Sequence, residues 1–154
     1  MGASLRIPAF PCKSETGTPL NEIYALARLH AKDEEGLNAF ASLHNELEQR
    51  GQALRYGIRG RDGQLLASAV FLKDAHTAYY ILVGNHPNGR TLGASHLLID
   101  SFIRDHASSG LVLDFEGSDI RNLAFFYSSF GATHHPYPQL HLNRLPWWIR
   151  WVKS

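Results

Sequence analysis

The part of the sequence best suited to chemistry is a run of small residues from Asn88 to Ala94, with glycines at positions 89 and 93. An apolar run precedes it and an amphipathic pattern follows it, so it should join a strand to the start of a helix. Backbone N–H groups at such a junction lack acceptors, and the helix dipole adds positive charge. The sequence therefore predicts a site for an anion such as a pyrophosphate. The alternative is a turn that serves packing alone.

The histidines and the single cysteine do not form a recognisable metal site. Cys12 is the only cysteine among 154 residues, so cysteines cannot supply a ligand set. His134 and His135 are adjacent and would point to opposite faces of a strand, while His96 and His106 lie too far apart on one predicted helix to bind the same ion. We therefore expect no metal. A lone cysteine also suits a reducing compartment, so we expect a cytoplasmic protein.

Composition places the chain among ordinary globular domains, with 44% hydrophobic and 19% charged residues. The formal net charge of +1 gives no general attraction to nucleic acid or to an anionic membrane. No stretch approaches the ~20 consecutive apolar residues of a membrane-spanning helix. Ser95 and Ser118 lack His and Asp partners at the spacing of a catalytic triad. These features argue against a nucleic-acid-binding protein, a membrane-spanning protein and a serine hydrolase.

The first third of the chain predicts an irregular lead-in followed by helices. Three prolines and Gly17 interrupt regular hydrogen bonding before Leu20, so residues 1–19 should be irregular and a single domain should span residues 20–154. From Leu20 to Leu47, apolar residues recur at three- and four-residue steps with charges between them. This pattern predicts two amphipathic helices with a break at residues 33–36.

Past Gly51 the pattern changes from helical to strand-like. Alternating and β-branched residues predict three strands in an antiparallel meander, joined by turns at residues 61–63 and 73–76. The rest of the chain predicts a helix, a short buried strand near residues 111–115, a helix that closes at Gly131 and a final strand near residues 140–142. The sequence therefore predicts an α/β domain of α+β type, with a mixed sheet flanked by helices.

Four stretches of the sequence carry a resemblance to a known family. They are residues 88–94 leading into 97–100, then 113–118, 123–132 and 143–146, and the likeness covers the chain from about Leu54 onward. In them the chain resembles the GNAT superfamily of N-acyltransferases, and within it the second half of the Fem-like proteins, which contain two GNAT-type halves. The resemblance implies that the third meander strand and the strand near residues 111–115 run nearly parallel and splay apart.

The gap between these strands would admit the pantetheine arm of acetyl-CoA or another acyl-CoA, and the loop before the helix would receive its pyrophosphate. The superfamily loop usually reads Gln or Arg, two residues, Gly, one residue, then Gly or Ala. Arg90, Gly93 and the small Ser95 stand at those steps. Arg90 would add charge-assisted hydrogen bonds to phosphate, unless it is a solvated surface arginine. The candidate donor-binding residues are Asn88, Gly89, Arg90, Gly93, Ala94 and Ser95.

The resemblance also points to two candidate catalytic residues. Tyr127 lies four residues before Gly131, where many GNAT enzymes place the tyrosine that protonates the departing thiolate; the alternative is a packing tyrosine in an aromatic helix. Glu116 directly follows the predicted buried strand, where partial desolvation would suit a base. Its alternative is a turn carboxylate, and Asp114 ranks below it. Ile120 stands where the family often has an asparagine.

The resemblance implies an N-acyltransferase that moves an acyl group, with acetyl preferred, from a CoA thioester to the amine of a small molecule, amino sugar or peptide. Backbone N–H groups of the splayed strand would steady the oxyanion. Two alternatives stay open. One is transfer from aminoacyl-tRNA, against which stand the neutral charge and the absence of a long basic helical arm. The other is a non-catalytic half that binds a partner chain.

Three tryptophans cluster at the end of the chain. Trp147, Trp148 and Trp151 lie beside two cations, and Trp and Arg are enriched in interface cores. The three rings cannot all face one direction in a helix or a strand. We therefore expect a homodimer through this segment. The alternatives are packing on the domain's own sheet and contact with a membrane surface.

Overall fold

The computed structural model describes residues 12–29, 34–116 and 120–136. These residues form five strands and five helices. The elements are β1 (Cys12–Thr16), α1 (Leu20–Ala27), α2 (Glu34–Gln49), β2 (Ala53–Gly60), β3 (Leu65–Lys73), β4 (Thr77–Asn85), α3 (Pro87–Thr91), α4 (Ala94–His106), β5 (Val112–Asp114) and α5 (Arg121–Ser128).

The strands form one sheet in the order β1-β2-β3-β4-β5. The pairs β1–β2, β2–β3 and β3–β4 are antiparallel, and the pair β4–β5 is parallel. The predicted meander is confirmed by β2, β3 and β4. Its first turn contains Gly63 at a φ of 80°, and in the second the Asp74 carboxylate accepts hydrogen bonds from the N–H groups of His76 and Thr77. The predicted α+β fold with a mixed sheet is confirmed.

The central strand, β3, is buried along almost its whole length. On one face it packs against α4, where the ring of Phe102 stacks on Phe71 with centroids 3.8 Å apart. On the other face Ile23 of α1 packs with Val70 and Leu72. Because both faces are covered by helices, the core fixes the position of β3 and, through the β3–β4 ladder, the position of β4.

Helix α1 lies unusually close to the sheet. A Cβ added to Gly84 of β4 would stand 3.0 Å from the backbone nitrogen of Ala27, so no side chain fits at this position. The Arg59 guanidinium ties the same helix to the sheet edge, since it lies 2.9 Å from the Glu15 carboxylate of β1 and 2.8 Å from the Glu22 carboxylate of α1. One arginine on β2 thus holds the first strand and the first helix together.

The predicted irregular lead-in over residues 1–19 is wrong for part of its length. Residues Cys12–Thr16 form β1, which pairs with β2 in a register that runs from Gly60 to Tyr56. Gly17 follows this strand, with a φ of 74°, and so ends it rather than interrupting it. The predicted extent of the domain, residues 20–154, stays a prediction, although the sheet includes residues that precede it.

Three further expectations differ from the structure. The break predicted at residues 33–36 lies earlier in the chain, because α1 ends at Ala27 and α2 begins at Glu34. The run of small residues expected to be a loop contains a short helix, α3. The strand predicted to be buried lies at the edge of the described sheet, with Val112 62% exposed. The final strand predicted near residues 140–142 lies outside the described residues.

Within the described ranges, no helix is long and apolar enough to cross a membrane.

His44 is the largest polar side chain that the described core encloses. It lies on α2, is 0% exposed, and its Nδ1 stands 3.8 Å from the Glu48 carboxylate. Loss of water lowers the pKa of His44 below its usual value, and Glu48 offsets part of this effect while Arg55 adds to it. The folded chain therefore holds His44 uncharged at a pH where the unfolded chain would protonate it.

This burial predicts that acid weakens the fold. The unfolded state binds more protons than the native state once the pH falls through the ordinary histidine pKa of 6.5, so the free energy of unfolding should fall as the pH drops from about 7.5 to about 5.5. Urea titrations across this range should show a weaker pH dependence for His44→Leu. The same change at the exposed His134 serves as control; equal slopes for wild type and His44→Leu would contradict the assignment.

Candidate functional site

Strands β4 and β5 pair over a short distance and then separate. Their parallel register joins Thr77 to Val112, Ala78 to Leu113 and Tyr79 to Asp114. Beyond the last pair β5 ends, whereas β4 continues from Tyr80 to Asn85. A gap therefore opens along β4, on the side facing β5. The predicted splay of these two strands is confirmed.

A β-bulge lies in the part of β4 that borders the gap. The β3–β4 register shifts so that Leu82 and Val83 together lie opposite Ala69. Leu82 has a φ of 48°, in the left-handed region that residues other than glycine rarely adopt. A bulge of this kind leaves one residue outside the regular ladder and redirects its backbone groups. The bulge therefore supplies candidate N–H donors for an oxyanion formed in the gap.

The six candidate donor-binding residues lie in one turn between β4 and α4. Asn88, Gly89 and Arg90 belong to α3. Gly93 is the residue before α4 and has a left-handed φ of 65°, and Ala94 and Ser95 are the first two residues of that helix. The structure thus brings all six to the end of β4 that borders the gap. The first N–H groups of an α-helix have no acceptor within the helix, so they face outward with the positive end of the dipole.

Two of these six residues have clear structural roles. Gly89 is buried against β3, and an added Cβ would stand 2.4 Å from the Leu66 carbonyl oxygen. The Asn88 side chain donates to Gln64 Oε1 at 3.3 Å, and its backbone N–H donates to Nδ1 of His86, which caps α3. These residues shape the turn rather than face the gap. His86 was not singled out from the sequence, because histidine is an uncommon helix cap.

Arg90 and Ser95 differ in how they could meet a ligand. The Arg90 side chain is exposed at the end of α3. Ser95 is half-buried, and its hydroxyl donates to Asn85 Oδ1 at 2.5 Å. This hydrogen bond ties the start of α4 to the end of β4 and holds the helix N-terminus beside the gap. Arg90 and the first backbone N–H groups of α4 are therefore the groups best placed for phosphate.

Tyr127 lies at the inner end of the gap. Its ring stacks on Phe115 with centroids 4.4 Å apart and planes 16° apart, and it meets Tyr80 edge-on at 6.3 Å. Burial raises the pKa of the Tyr127 phenol, so this group stays protonated at neutral pH and is able to donate a proton or a hydrogen bond. Both sequence interpretations of Tyr127, acid and packing residue, are compatible with this position.

Glu116 does not have the partial desolvation that the sequence predicted. It is exposed, it has a φ of 61°, and its backbone N–H donates to Asp114 Oδ1 at 2.8 Å. The expectation was wrong because two of the three residues of β5, Val112 and Asp114, are exposed rather than buried. Glu116 still borders the inner end of the gap, since the preceding residue, Phe115, stacks on Tyr127. Asp114 is exposed too and serves the turn.

Sequence reasoning missed two aromatic residues of this region. Tyr80 is 5% exposed, and burial together with the nearby Tyr127 phenol raises its pKa. His96 of α4 contacts Phe126 and Phe130, with ring centroids 4.6 and 5.6 Å apart, so it connects α4 to the helix that carries Tyr127. The signal for Tyr80 was the Tyr79-Tyr80 pair: on a strand, one of two adjacent residues must face the core.

Two open cavities lie elsewhere on the described structure. One of about 430 Å³ is lined by residues that include Thr16, Tyr56 and Asp105, and one of about 270 Å³ is lined by residues that include Glu22 and Leu65. Neither cavity shares a residue with the gap or with the turn before α4. In the part of the chain that the structure describes, no group of three or more His, Cys, Asp or Glu side chains could hold a metal ion.

Comparison with known families gives one match that covers most of the chain. A family model described as an acetyltransferase (GNAT) domain matches residues 22–122. No curated protein sequence matches the chain.

Several solved structures share the fold. An aminoglycoside antibiotic 6'-N-acetyltransferase from Acinetobacter baumannii is 12% identical, with 88% of this chain and 99% of that chain covered and a TM-score of 0.60. Glucosamine-6-phosphate N-acetyltransferase from Arabidopsis thaliana is 14% identical, with 85% and 97% covered and a TM-score of 0.60. A predicted acetyltransferase from Clostridium acetobutylicum, solved with acetyl-CoA, is 11% identical, with 86% and 96% covered and a TM-score of 0.59. At these identities the likeness establishes the fold.

The turn before α4 predicts a specific effect on donor binding. CoA should raise the melting temperature of the wild-type chain, since a ligand that binds only the folded state stabilises it. Gly93→Val should abolish this increase, because the left-handed φ of 65° at Gly93 disfavours a branched residue, so the substitution should distort the turn that positions the start of α4. Thermal denaturation with and without CoA measures the effect.

Gly110→Val is the matched control for this experiment. Gly110 has a similar φ of 71° and an added Cβ would meet nothing within 4 Å, so the variant carries the same backbone strain at the far end of α4. It should be less stable than wild type yet keep the full response to CoA. A response to CoA that survives in Gly93→Val would remove this turn from the donor site.

Proposed function

Because the chain belongs to the acetyltransferase (GNAT) domain family, we propose that it transfers an acetyl group from acetyl-CoA to the amine of a small molecule, an amino sugar or a peptide. One observation carries this proposal. The strand that borders the gap, β4, leads at its end into the turn before α4. The candidate anion site and the gap are therefore joined end to end, which is the shape that a nucleotide-linked thioester requires.

The residues present suit such a donor. The pyrophosphate would accept hydrogen bonds from the first N–H groups of α4, with Arg90 adding positive charge. The pantetheine arm would lie along β4 from Asn85 toward Tyr80, where its amide groups can pair with the backbone of the strand. This arrangement brings the thioester to the region of the bulge at Leu82 and Val83.

The proposed reaction forms a C–N bond and breaks a C–S bond. The amine nitrogen of the acceptor attacks the thioester carbonyl carbon, and the backbone N–H groups of the bulge donate hydrogen bonds to the oxyanion. Glu116 receives the amine proton through water, because its carboxylate is exposed. The Tyr127 hydroxyl gives a proton to the departing thiolate. Solvent then supplies a proton to Tyr127 and accepts the proton held by Glu116, so both residues are restored for the next turnover.

Amino sugars are the first acceptors to test. Two of the similar structures are named as acetyltransferases of an aminoglycoside and of glucosamine-6-phosphate, which both present an amine on a sugar ring. The fold alone does not select an acceptor, so peptides and other small amines belong in the same screen.

The Fem-like alternative, transfer from aminoacyl-tRNA, has less support. The helix α2, which lies on the face of the sheet opposite α4, contains no Lys or Arg, so it offers no positive surface to an RNA backbone. Isothermal titration separates the alternatives: an acetyltransferase binds CoA, a tRNA-dependent enzyme binds tRNA with an affinity that falls steeply with salt, and a non-catalytic half binds neither.

The role given to Tyr127 predicts the kinetics of one variant. Tyr127→Phe should lower kcat by roughly 10²-fold and leave donor affinity nearly unchanged, because it removes the proton donor but keeps the ring stacked on Phe115. Tyr79→Phe is the matched control, since the Tyr79 hydroxyl contacts Asp74 in the turn before β4. Free thiol release measured with each acceptor reports the rate. A wild-type rate in Tyr127→Phe would make this tyrosine a packing residue.

We also propose that the chain forms a homodimer through its C-terminal segment. Trp147, Trp148 and Trp151 lie outside the described residues, so this proposal rests on the sequence pattern alone. Light scattering at micromolar concentration should report a dimer for the intact chain and a monomer after deletion from Trp147 onward. A folded, monomeric intact chain would contradict it.

A further inference from the structure

The inner end of the gap is closed by three aromatic rings. Tyr80 is the first residue of β4 beyond its last pair with β5, Phe115 is the first residue after β5, and Tyr127 comes from α5. The ring of Phe115 meets Tyr80 edge-on at 5.8 Å and stacks on Tyr127 at 4.4 Å, and Tyr80 meets Tyr127 at 6.3 Å. Each ring thus contacts the other two. We call these residues the aromatic triad.

The space behind the aromatic triad is occupied. Tyr80 packs against Phe71 at a centroid distance of 5.3 Å, and Phe71 stacks on Phe102 at 3.8 Å. Phe71 is 0% and Phe102 is 2% exposed. A group that entered the gap beyond the triad would therefore have to displace core side chains. Close-packed interiors resist the insertion of even a few methylene groups.

The triad lies where the acyl group of the proposed donor would point. A strand rises about 3.3 Å per residue, so Asn85 and Tyr80 lie roughly 17 Å apart along β4. A pantetheine arm extended from a pyrophosphate at the start of α4 covers a comparable length. The arm would then pass along the bulge and bring its thioester to the stretch between Leu82 and Tyr80, with the acyl chain directed at the aromatic triad.

We propose that the aromatic triad restricts the donor to acetyl-CoA by filling the space that a longer acyl chain would need. This inference rests on the proposed function, because it requires that CoA binds in the gap. It assigns to Tyr80 and Phe115 a role in acyl-chain selection that differs from the proton transfer given to Tyr127. Tyr80 and Phe115 are therefore specificity residues, and their replacement should change which donor binds.

Isothermal titration of the intact chain with CoA, acetyl-CoA and hexanoyl-CoA tests this proposal without a known acceptor. Wild type should bind hexanoyl-CoA at least ~10-fold more weakly than acetyl-CoA, since added methylene groups have no pocket to enter. In each of the variants Phe115→Ala and Tyr80→Ala, the affinities for acetyl-CoA and hexanoyl-CoA should differ by no more than about 3-fold. Loss of the ring opens space for the added methylene groups, so the pocket no longer discriminates against them.

The choice of variants keeps the test decisive. Tyr80 is deeply buried and its truncation could unfold the chain, whereas Phe115 is half-buried at the edge of the sheet, so Phe115→Ala should fold even where Tyr80→Ala does not. Phe125→Ala is the matched control: Phe125 lies two residues before Tyr127 on α5 but is 77% exposed, so its loss should leave the preference for acetyl-CoA unchanged. Circular dichroism verifies that each variant is folded.

The possible results distinguish a failure of this inference from a failure of the proposed function on which it rests. Equal binding of hexanoyl-CoA and acetyl-CoA by wild type would overturn the role of the triad while leaving the donor site in place. An acetyl preference that persists in folded Phe115→Ala would also overturn it. Failure of every CoA compound to bind would overturn the proposed acetyltransferase itself, and the triad's role with it.

Discussion

The site depends on one constraint, that β4 and β5 pair for three residues and then part. Two features keep them apart. Within β4, the bulge at Leu82 and Val83 turns the backbone out of its regular ladder. Between the strands, the rings of Tyr80, Phe115 and Tyr127 pack together on the side that faces α4 and α5. β4 and the three packed aromatic rings thus border the gap. Its inner end is closed by the rings, and its outer end meets the N-terminus of α4.

The two walls of this gap are held with different strength. β4 is bound to β3 over most of its length, and β3 is buried between α1 on one face and α4 on the other. Close packing of α1 on Gly84 and the hydrogen bond from Ser95 to Asn85 fix the end of β4, where the turn before α4 begins. β5, in contrast, has a short ladder and exposed residues. We therefore expect the proposed donor to bind along β4, which is held firmly. Any movement that accommodates an acceptor should occur in β5.

The sequence predicted the meander closely, because its turns and alternation are local signals. It failed for β1, whose only partner in the described sheet lies 40 to 48 positions away along the chain, so no short window of sequence reveals the pairing. The bulge at Leu82 could not be predicted either, since it arises from the register between two strands that are both apolar. Glu116 was expected to be partly desolvated because Leu111 and Leu113 suggest a buried strand; whether an apolar strand is covered depends on tertiary packing. Tyr80 was overlooked because the sequence of an apolar strand does not distinguish a tyrosine that borders a site from one that only packs in the core. The difference depends on neighbours that are distant in the sequence.

The measurement that tests the central claim most directly is a map of backbone amide chemical shifts on titration with CoA. If CoA lies in the gap with its pyrophosphate at α4, the largest changes should fall on the amides of Ala94, Ser95 and His96 and on those of Leu82 and Val83. The two groups should change with one affinity, because a single ligand spans both. Changes confined to the cavity beside Tyr56 and Asp105, with none at the start of α4, would contradict the account.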